Sequence, residues 1–186
     1  MKRLTDIALA LLLLPLALLL CVPAAIAIRL ETPGNPLFLQ KRVGRNQRPF
    51  TLWKLRSMSK GTKQAGSHEV GTAHVTRMGH IIRRTKIDEL PQICNVLLGQ
   101  MSFVGPRPCL PTQEELIAER AQRGVFDVLP GITGPAQLAG IDMSTPRPLA
   151  EADAAYIATR SWTGDLRLIV QTATGGGRGD AAVGLK

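Results

Sequence analysis

Acidic residues are absent from Thr32 to His68, a stretch in which Lys41, Arg42, Arg45, Arg48, Lys54, Arg56, Lys60 and Lys63 all occur. So one-sided a segment suits an anionic partner: lipid headgroups, phosphorylated substrates or nucleic acid. Aromatic residues make up only 4% of the chain. That argues against reading single-stranded nucleic acid by stacking bases on rings, and no nucleic-acid partner is expected. Cysteine is scarce too, with Cys21, Cys94 and Cys109 widely spaced and no CxxC pair or Cys/His cluster. Neither a disulfide framework nor a zinc site is indicated, and the first two cysteines read as small hydrophobes in a reducing compartment. No internal repeat is present. Charge of either sign is missing from Ile7 to Ile28, 22 residues in a row.

What is there begins with that uncharged run. As one straight helix it would just cross a hydrocarbon core of about 30 Å, at about 1.5 Å per residue. A single crossing and a cleaved signal peptide are two readings of it. Positive residues, however, flank both ends, Lys2 and Arg3 before and Arg29 after. The positive-inside bias pulls both flanks to the cytoplasmic side. A re-entrant hairpin satisfies both, with Pro15 or Pro23 as the bend. Beside such an anchor, the basic block is expected to meet an anionic lipid surface, although a merely solvated basic face remains open.

At 186 residues the chain has room for one compact domain beside the membrane segment. The expected fold class is α/β and membrane-associated. It comprises a re-entrant membrane helix over 1–31, a compact mixed catalytic core with amphipathic surface helices over 32–174, and a flexible tail over 175–186. Residues 36–40 and 49–54 read as hairpin strands joined at Gly44-Arg45-Asn46, and 59–76 as a mobile loop. Met78–Arg84 could be helix or strand. Leu90, Ile93, Cys94, Leu97 and Leu98 form a helical stripe, with Asp88 as N-cap and Gly99 as stop. Thr112 with Glu115 suggests a capping box opening a helix to about Arg123. Pro130–Pro135 reads as a rigid turn, and helices are expected near 148–161 and 165–174.

The adjacent acids Asp88 and Glu89 follow Arg83-Arg84-Thr85-Lys86-Ile87. Neighbours on a helix diverge by about 100°, so the two carboxylates suit two jobs rather than one shared proton. One can attack phosphorus and the other can hold Mg²⁺ against substrate phosphates. Arg107, set between Pro106 and Pro108, has a backbone that presents a guanidinium rigidly to phosphate. The residues alone therefore point to phosphate chemistry at a membrane. They leave open a membrane-tethered adaptor that binds anionic lipid without catalysis, its acids merely ending a helix, and a lipid-phosphate phosphotransferase with other substrates.

A resemblance narrows this. Lys2-Arg3-x-x-Asp6, the apolar run, Pro33-Gly34, Arg42-Val43-Gly44, Phe50 to Met58, Asp88-Glu89-Leu90-Pro91-Gln92, Met101-Ser102-Phe103-Val104-Gly105-Pro106-Arg107-Pro108 and Pro130-Gly131-Ile132-Thr133-Gly134 follow in order. From about residue 2 to 172 the chain resembles the bacterial sugar transferase family, the small monotopic phosphoglycosyl transferases. The resemblance implies transfer of a sugar-1-phosphate from a UDP-sugar to polyprenol (undecaprenyl) phosphate with release of UMP. It implies Asp88 as the nucleophile that carries the phosphosugar, Glu89 as the Mg²⁺ ligand, and Arg107 with Pro106 as the phosphate-holding loop. Arg83 and Lys54 are further phosphate-binding candidates. The implied setting is the cytoplasmic face of the bacterial inner membrane, at the first membrane step of polysaccharide, O-antigen or glycoprotein assembly. Downstream glycosyltransferases would be possible partners. The chain departs from the family pattern at Lys86-Ile87, Gln100, Pro135 and Ile141 to Pro146, and lacks the usual Ser-Pro near Leu19. The donor sugar is therefore left unnamed.

Overall fold

The computed structural model describes residues 2–59, 61–62 and 74–174. The expected tail, and most of the expected loop over 59–76, lie outside the described residues. The fold is mixed α/β and mostly helical, with one long apolar N-terminal helix, α1 (Lys2–Glu31). By length and composition α1 could cross a membrane. The two limbs of the expected hairpin are not seen, because residues 2–31 form one helical element with Pro15 and Pro23 inside it. Leucine and alanine, strong helix formers, surround both prolines and carry the helix past the lost donors.

One face of α1 packs against the core. Ala10 and Ala17 are buried with Phe50, Leu52, Ile93, Val96, Phe103 and Tyr156, and Ile28 is buried with Leu55 and Ile82. Its other side exposes Leu4, Leu12, Leu16, Leu19, Val22 and Ile26. Both ends are tied to the same body. Lys2 pairs with Asp165, and Arg3 donates to the carbonyls of Val96 (2.6 Å) and Leu97 (3.0 Å). At the far end the Glu31 carboxylate accepts from the backbone N–H of Arg77 (2.8 Å) and Met78 (3.0 Å).

Strands β1 (Leu37–Val43) and β2 (Pro49–Leu55) pair antiparallel, from Leu37↔Leu55 to Val43↔Pro49. Their connection is longer than the expected three-residue turn, because a 3₁₀ segment fills Arg45–Gln47 and holds Asn46 and Gln47 at positive φ. Strand alternation divides the basic block, exposing Lys41 and burying Arg42 and Lys54, while Arg45 and Arg48 are exposed in the connection between the strands. It is thus not a uniformly solvated face.

The undecided stretch is helical, α2 (Arg77–Arg84), with the Thr76 side chain accepting from Gly79 N–H at 2.9 Å. Helix α3 (Gln92–Leu97) starts later than expected, and Asp88 is not its N-cap. Lys86 takes a left-handed conformation (φ 57°), a 3₁₀ turn spans Ile87–Glu89, and Pro91 occupies the cap. Gly99, at φ 76°, ends the segment as expected. Strand β3 (Ser102–Val104) pairs in parallel with β4 (Gly131–Thr133), so the expected Pro130–Pro135 turn contains a strand and leads into α5 (Pro135–Leu138). Helix α4 (Glu114–Gln122) has Gln113 at its cap in place of Thr112. The Gln113 side chain instead accepts from Leu110 N–H at 2.8 Å. Helix α6 (Pro146–Thr159) starts slightly earlier than expected, with proline in its first turn. Helix α7 (Trp162–Ala173) is capped by Ser161 and exposes Trp162, Leu166 and Val170.

Candidate active site

The 3₁₀ turn over Ile87–Glu89 lies where α2, β2 and α1 meet, and it carries both acids inward: Asp88 is 5% exposed and Glu89 9%. Lys54 reaches Glu89 from β2, its Nζ 3.4 Å from Oε1. Arg107 reaches the same oxygen from the loop after β3, with Nη2 donating at 2.6 Å. Three of the expected site residues, Lys54, Glu89 and Arg107, are thereby brought into contact, and Asp88 is buried beside Glu89 on the same 3₁₀ turn. Arg83 stands on neighbouring α2, where its Nε donates to Ser57 Oγ (2.8 Å) and its buried Nη1 has no hydrogen-bond partner among the described residues. A buried guanidinium N–H without an acceptor is costly, so a bound anion would satisfy it. Because α3 has only six residues, its dipole contributes little here. Anion binding falls to the side-chain cations.

The Arg107 loop is set by close backbone approach. Gly105 N–H donates to Thr133 O and Gly131 N–H to Pro106 O, both at 2.9 Å. A Cβ on Gly131 would stand 2.1 Å from Gly105 N, so the two chain segments can meet only as glycines. Pro106 is buried in this crossing, and Arg107 Nη1 also lies 3.4 Å from Ile132 O. Cys109, just beyond, is fully buried, and burial pushes its thiol up, which makes it inert rather than nucleophilic.

The model of the family described as bacterial sugar transferase matches residues 1–177. The chain belongs to that family. This sugar transferase is 40% identical over 182 residues to the UDP-glucose:undecaprenyl-phosphate glucose-1-phosphate transferase of Caulobacter vibrioides, covering 92% of this chain and 67% of that protein. It is 37% identical over 182 residues to the UDP-N-acetylgalactosamine-undecaprenyl-phosphate N-acetylgalactosaminephosphotransferase of Aeromonas hydrophila (92% and 42%). It is also 47% identical over 116 residues to a putative undecaprenyl-phosphate N-acetylgalactosaminyl 1-phosphate transferase of Bacillus subtilis (61% and 65%). The chain thus spans two-fifths to two-thirds of the length of these relatives.

Among the described residues, no group of three or more His, Cys, Asp or Glu side chains could hold a metal ion. At the 3₁₀ turn the carboxylates are Glu89, the expected Mg²⁺ ligand, and its neighbour Asp88. That donor set fits Mg²⁺ bound by one or two carboxylates together with substrate phosphates, and does not fit an all-protein cage. Sequence reasoning assigned no role to Asn95, which is fully buried. Its Oδ1 accepts from Trp53 N–H (3.1 Å), and its Nδ2 donates to Thr51 O and Gln100 Oε1 (both 2.7 Å). Gln100, a departure from the family pattern, thus serves as an acceptor that helps fasten α3 to β2. Asp6 belongs to the Lys2-Arg3-x-x-Asp6 motif. Its Oδ1 accepts from Ser102 Oγ (3.1 Å) and Phe103 N–H (3.3 Å), binding α1 to the strand that leads to Arg107.

Proposed function

We propose that this chain transfers a sugar-1-phosphate from a UDP-sugar to undecaprenyl phosphate, releasing UMP, as a step of bacterial polysaccharide assembly. The single observation that carries the reading is the buried Glu89, braced by Lys54 and Arg107 and adjacent to the buried Asp88, in a member of this family. In the reading, a carboxylate oxygen of Asp88 attacks the sugar-bearing phosphorus of the donor. The phosphoanhydride bond breaks, and UMP departs with the bridging oxygen. An oxygen of the lipid phosphate then attacks the same phosphorus, and the bond to Asp88 breaks to restore its carboxylate. Arg107 and Lys54 hold phosphate oxygens and balance the charge that builds on them, and Arg83 offers its unpartnered N–H to the same anion. Glu89, fixed by two cations, orients them and would hold Mg²⁺ with the donor phosphates; that ion would supply charge neutralisation.

The reading also seats the protein in one leaflet, with α1 entering and leaving on the cytoplasmic side of the inner membrane. Two observations support it: both ends of α1 are tied to the same polar body, and α1 and α7 expose apolar residues. Tagging both termini and labelling from the cytoplasmic side is expected to mark both. An N-terminus reachable only from outside would reject this topology.

The activity itself is tested by UMP release across a panel of UDP-sugars with undecaprenyl phosphate and Mg²⁺. At least one donor is expected to give UMP and a lipid-linked diphosphosugar in equal amounts. The named relatives use different sugars, so the panel also decides the donor. Absence of release from every UDP-sugar would reject the function.

A further inference from the structure

We infer that Arg42 and Arg120 are positioning residues for Arg107, gripping the main chain of its loop from two sides. The inference rests on the assignment of Arg107 to phosphate binding. Four consecutive carbonyls of this loop each accept from a different partner. Pro106 O accepts from Gly131 N–H (2.9 Å), Arg107 O from Arg120 Nη1 (2.8 Å), Pro108 O from Arg42 Nη1 (2.9 Å) and Cys109 O from Val43 N–H (2.9 Å). Prolines at 106 and 108 have no N–H, so at those positions the loop can be tied down only through its acceptors.

The two arginines are built alike. Arg120 lays its Nε and Nη2 on Asp153 Oδ2 (3.0 and 2.6 Å), and Arg42 lays the same two nitrogens on Gln40 Oε1 (3.1 and 2.7 Å). In each case the edge of the fork fixes the guanidinium plane, and Nη1 is left aimed at a loop carbonyl. A lysine ammonium has no such fork and cannot hold a side-chain anchor and a directed donor in one rigid plane. Both arginines are deeply placed: Arg120 is 1% exposed, Asp153 2% and Arg42 5%. Burial pushes the Asp153 carboxyl above the usual carboxylate range, while the Arg120 guanidinium draws it back down. Buried ion pairs are weak devices for stability, since apolar side chains fill the same space as well or better. What apolar side chains cannot supply is a donor for the Arg107 and Pro108 carbonyls. With Pro106 O held by Gly131 N–H before the Arg107 Cα, and Arg107 O and Pro108 O held by the two arginines after it, only side-chain torsions remain between the buried frame and the nitrogen that meets Glu89.

The experiment is a double-mutant cycle on the full chain in membranes, using Arg120→Lys and Arg42→Lys in wild-type and Arg107→Ala backgrounds. UMP release gives kcat and KM for the UDP-sugar, and thermal unfolding checks the fold. Each lysine variant is expected to lower kcat/KM about tenfold in wild type, since small misplacements of a binding group are amplified at the reacting centre. In the Arg107→Ala background the same change is expected to cost less than about twofold, because the effect runs through Arg107. Losses that multiply fully with Arg107→Ala would show a merely structural role and overturn the inference. An Arg107→Ala enzyme with wild-type kcat/KM would instead overturn the assignment of Arg107 itself. If Arg120→Lys fails to fold, Arg42→Lys carries the test, because its anchor is a neutral glutamine and no buried carboxylate loses its partner.

Discussion

Asp88→Asn is expected to reduce UMP release by roughly 10³-fold or more, the scale at which a covalent nucleophile is lost. The substitution keeps the size and planarity of a side chain that is only 5% exposed. Packing of the 3₁₀ turn over Ile87–Glu89 should therefore survive. The protein is expected to remain in the membrane fraction with an unfolding temperature close to wild type. An amide oxygen is a poor nucleophile toward phosphorus, and an amide leaves no carboxylate to restore in the second half of the cycle. A membrane-tethered adaptor whose acids only shape a turn would be indifferent to the change. Retention of wild-type turnover in Asp88→Asn, in a chain that does release UMP, would move the nucleophile elsewhere.

The second large effect is expected at Glu89. Its Oε1 is met by Lys54 and Arg107, and all three side chains are about nine-tenths buried. Glu89→Gln removes the negative partner from two such cations. Breaking a buried pair on one side costs about 3–5 kcal/mol, and the residual exposure of the three side chains brings the expected loss of stability toward the low end. Activity is expected to fall by roughly 10²-fold or more, as when a preorganised charge is removed from a phosphoryl-transfer site. The Mg²⁺ concentration for half-maximal UMP release is also expected to rise. A Mg²⁺ titration of wild type and variant, beside thermal unfolding, separates the two effects. A variant that loses stability but keeps the wild-type Mg²⁺ dependence would confine Glu89 to fixing Lys54 and Arg107.

The parts of the fold visible in the sequence were those with local causes. The β1–β2 hairpin follows from two apolar runs around a turn, and the Leu90–Leu98 stripe locates α3 without marking its buried face, since Gln92, Asn95 and Val96 are buried off the stripe while Leu98 is exposed. Asp88 was harder, because its preference for capping competes with a left-handed Lys86 and with Pro91, which together place a 3₁₀ turn ahead of the helix. The inward path of Arg42 and Lys54 could have been read from strand alternation, since Gln40, Arg42 and Lys54 share the buried face while Lys41 points out. Arg120 with Asp153 had no such signature. The pair joins α4 to α6 across 33 residues, and neither helix announces a charge on its buried side. The brace on Arg107 is a property of tertiary packing, whereas Pro106, Arg107 and Pro108 are contiguous and could be noticed directly.

Mass spectrometry of the enzyme incubated with the UDP-sugar donor alone, without lipid acceptor, tests the central claim most directly. The account predicts that the peptide containing Asp88 gains the mass of one sugar phosphate, that the gain disappears on adding undecaprenyl phosphate, and that Asp88→Asn never acquires it. An unmodified Asp88 peptide under conditions in which the lipid-linked product still accumulates would contradict it.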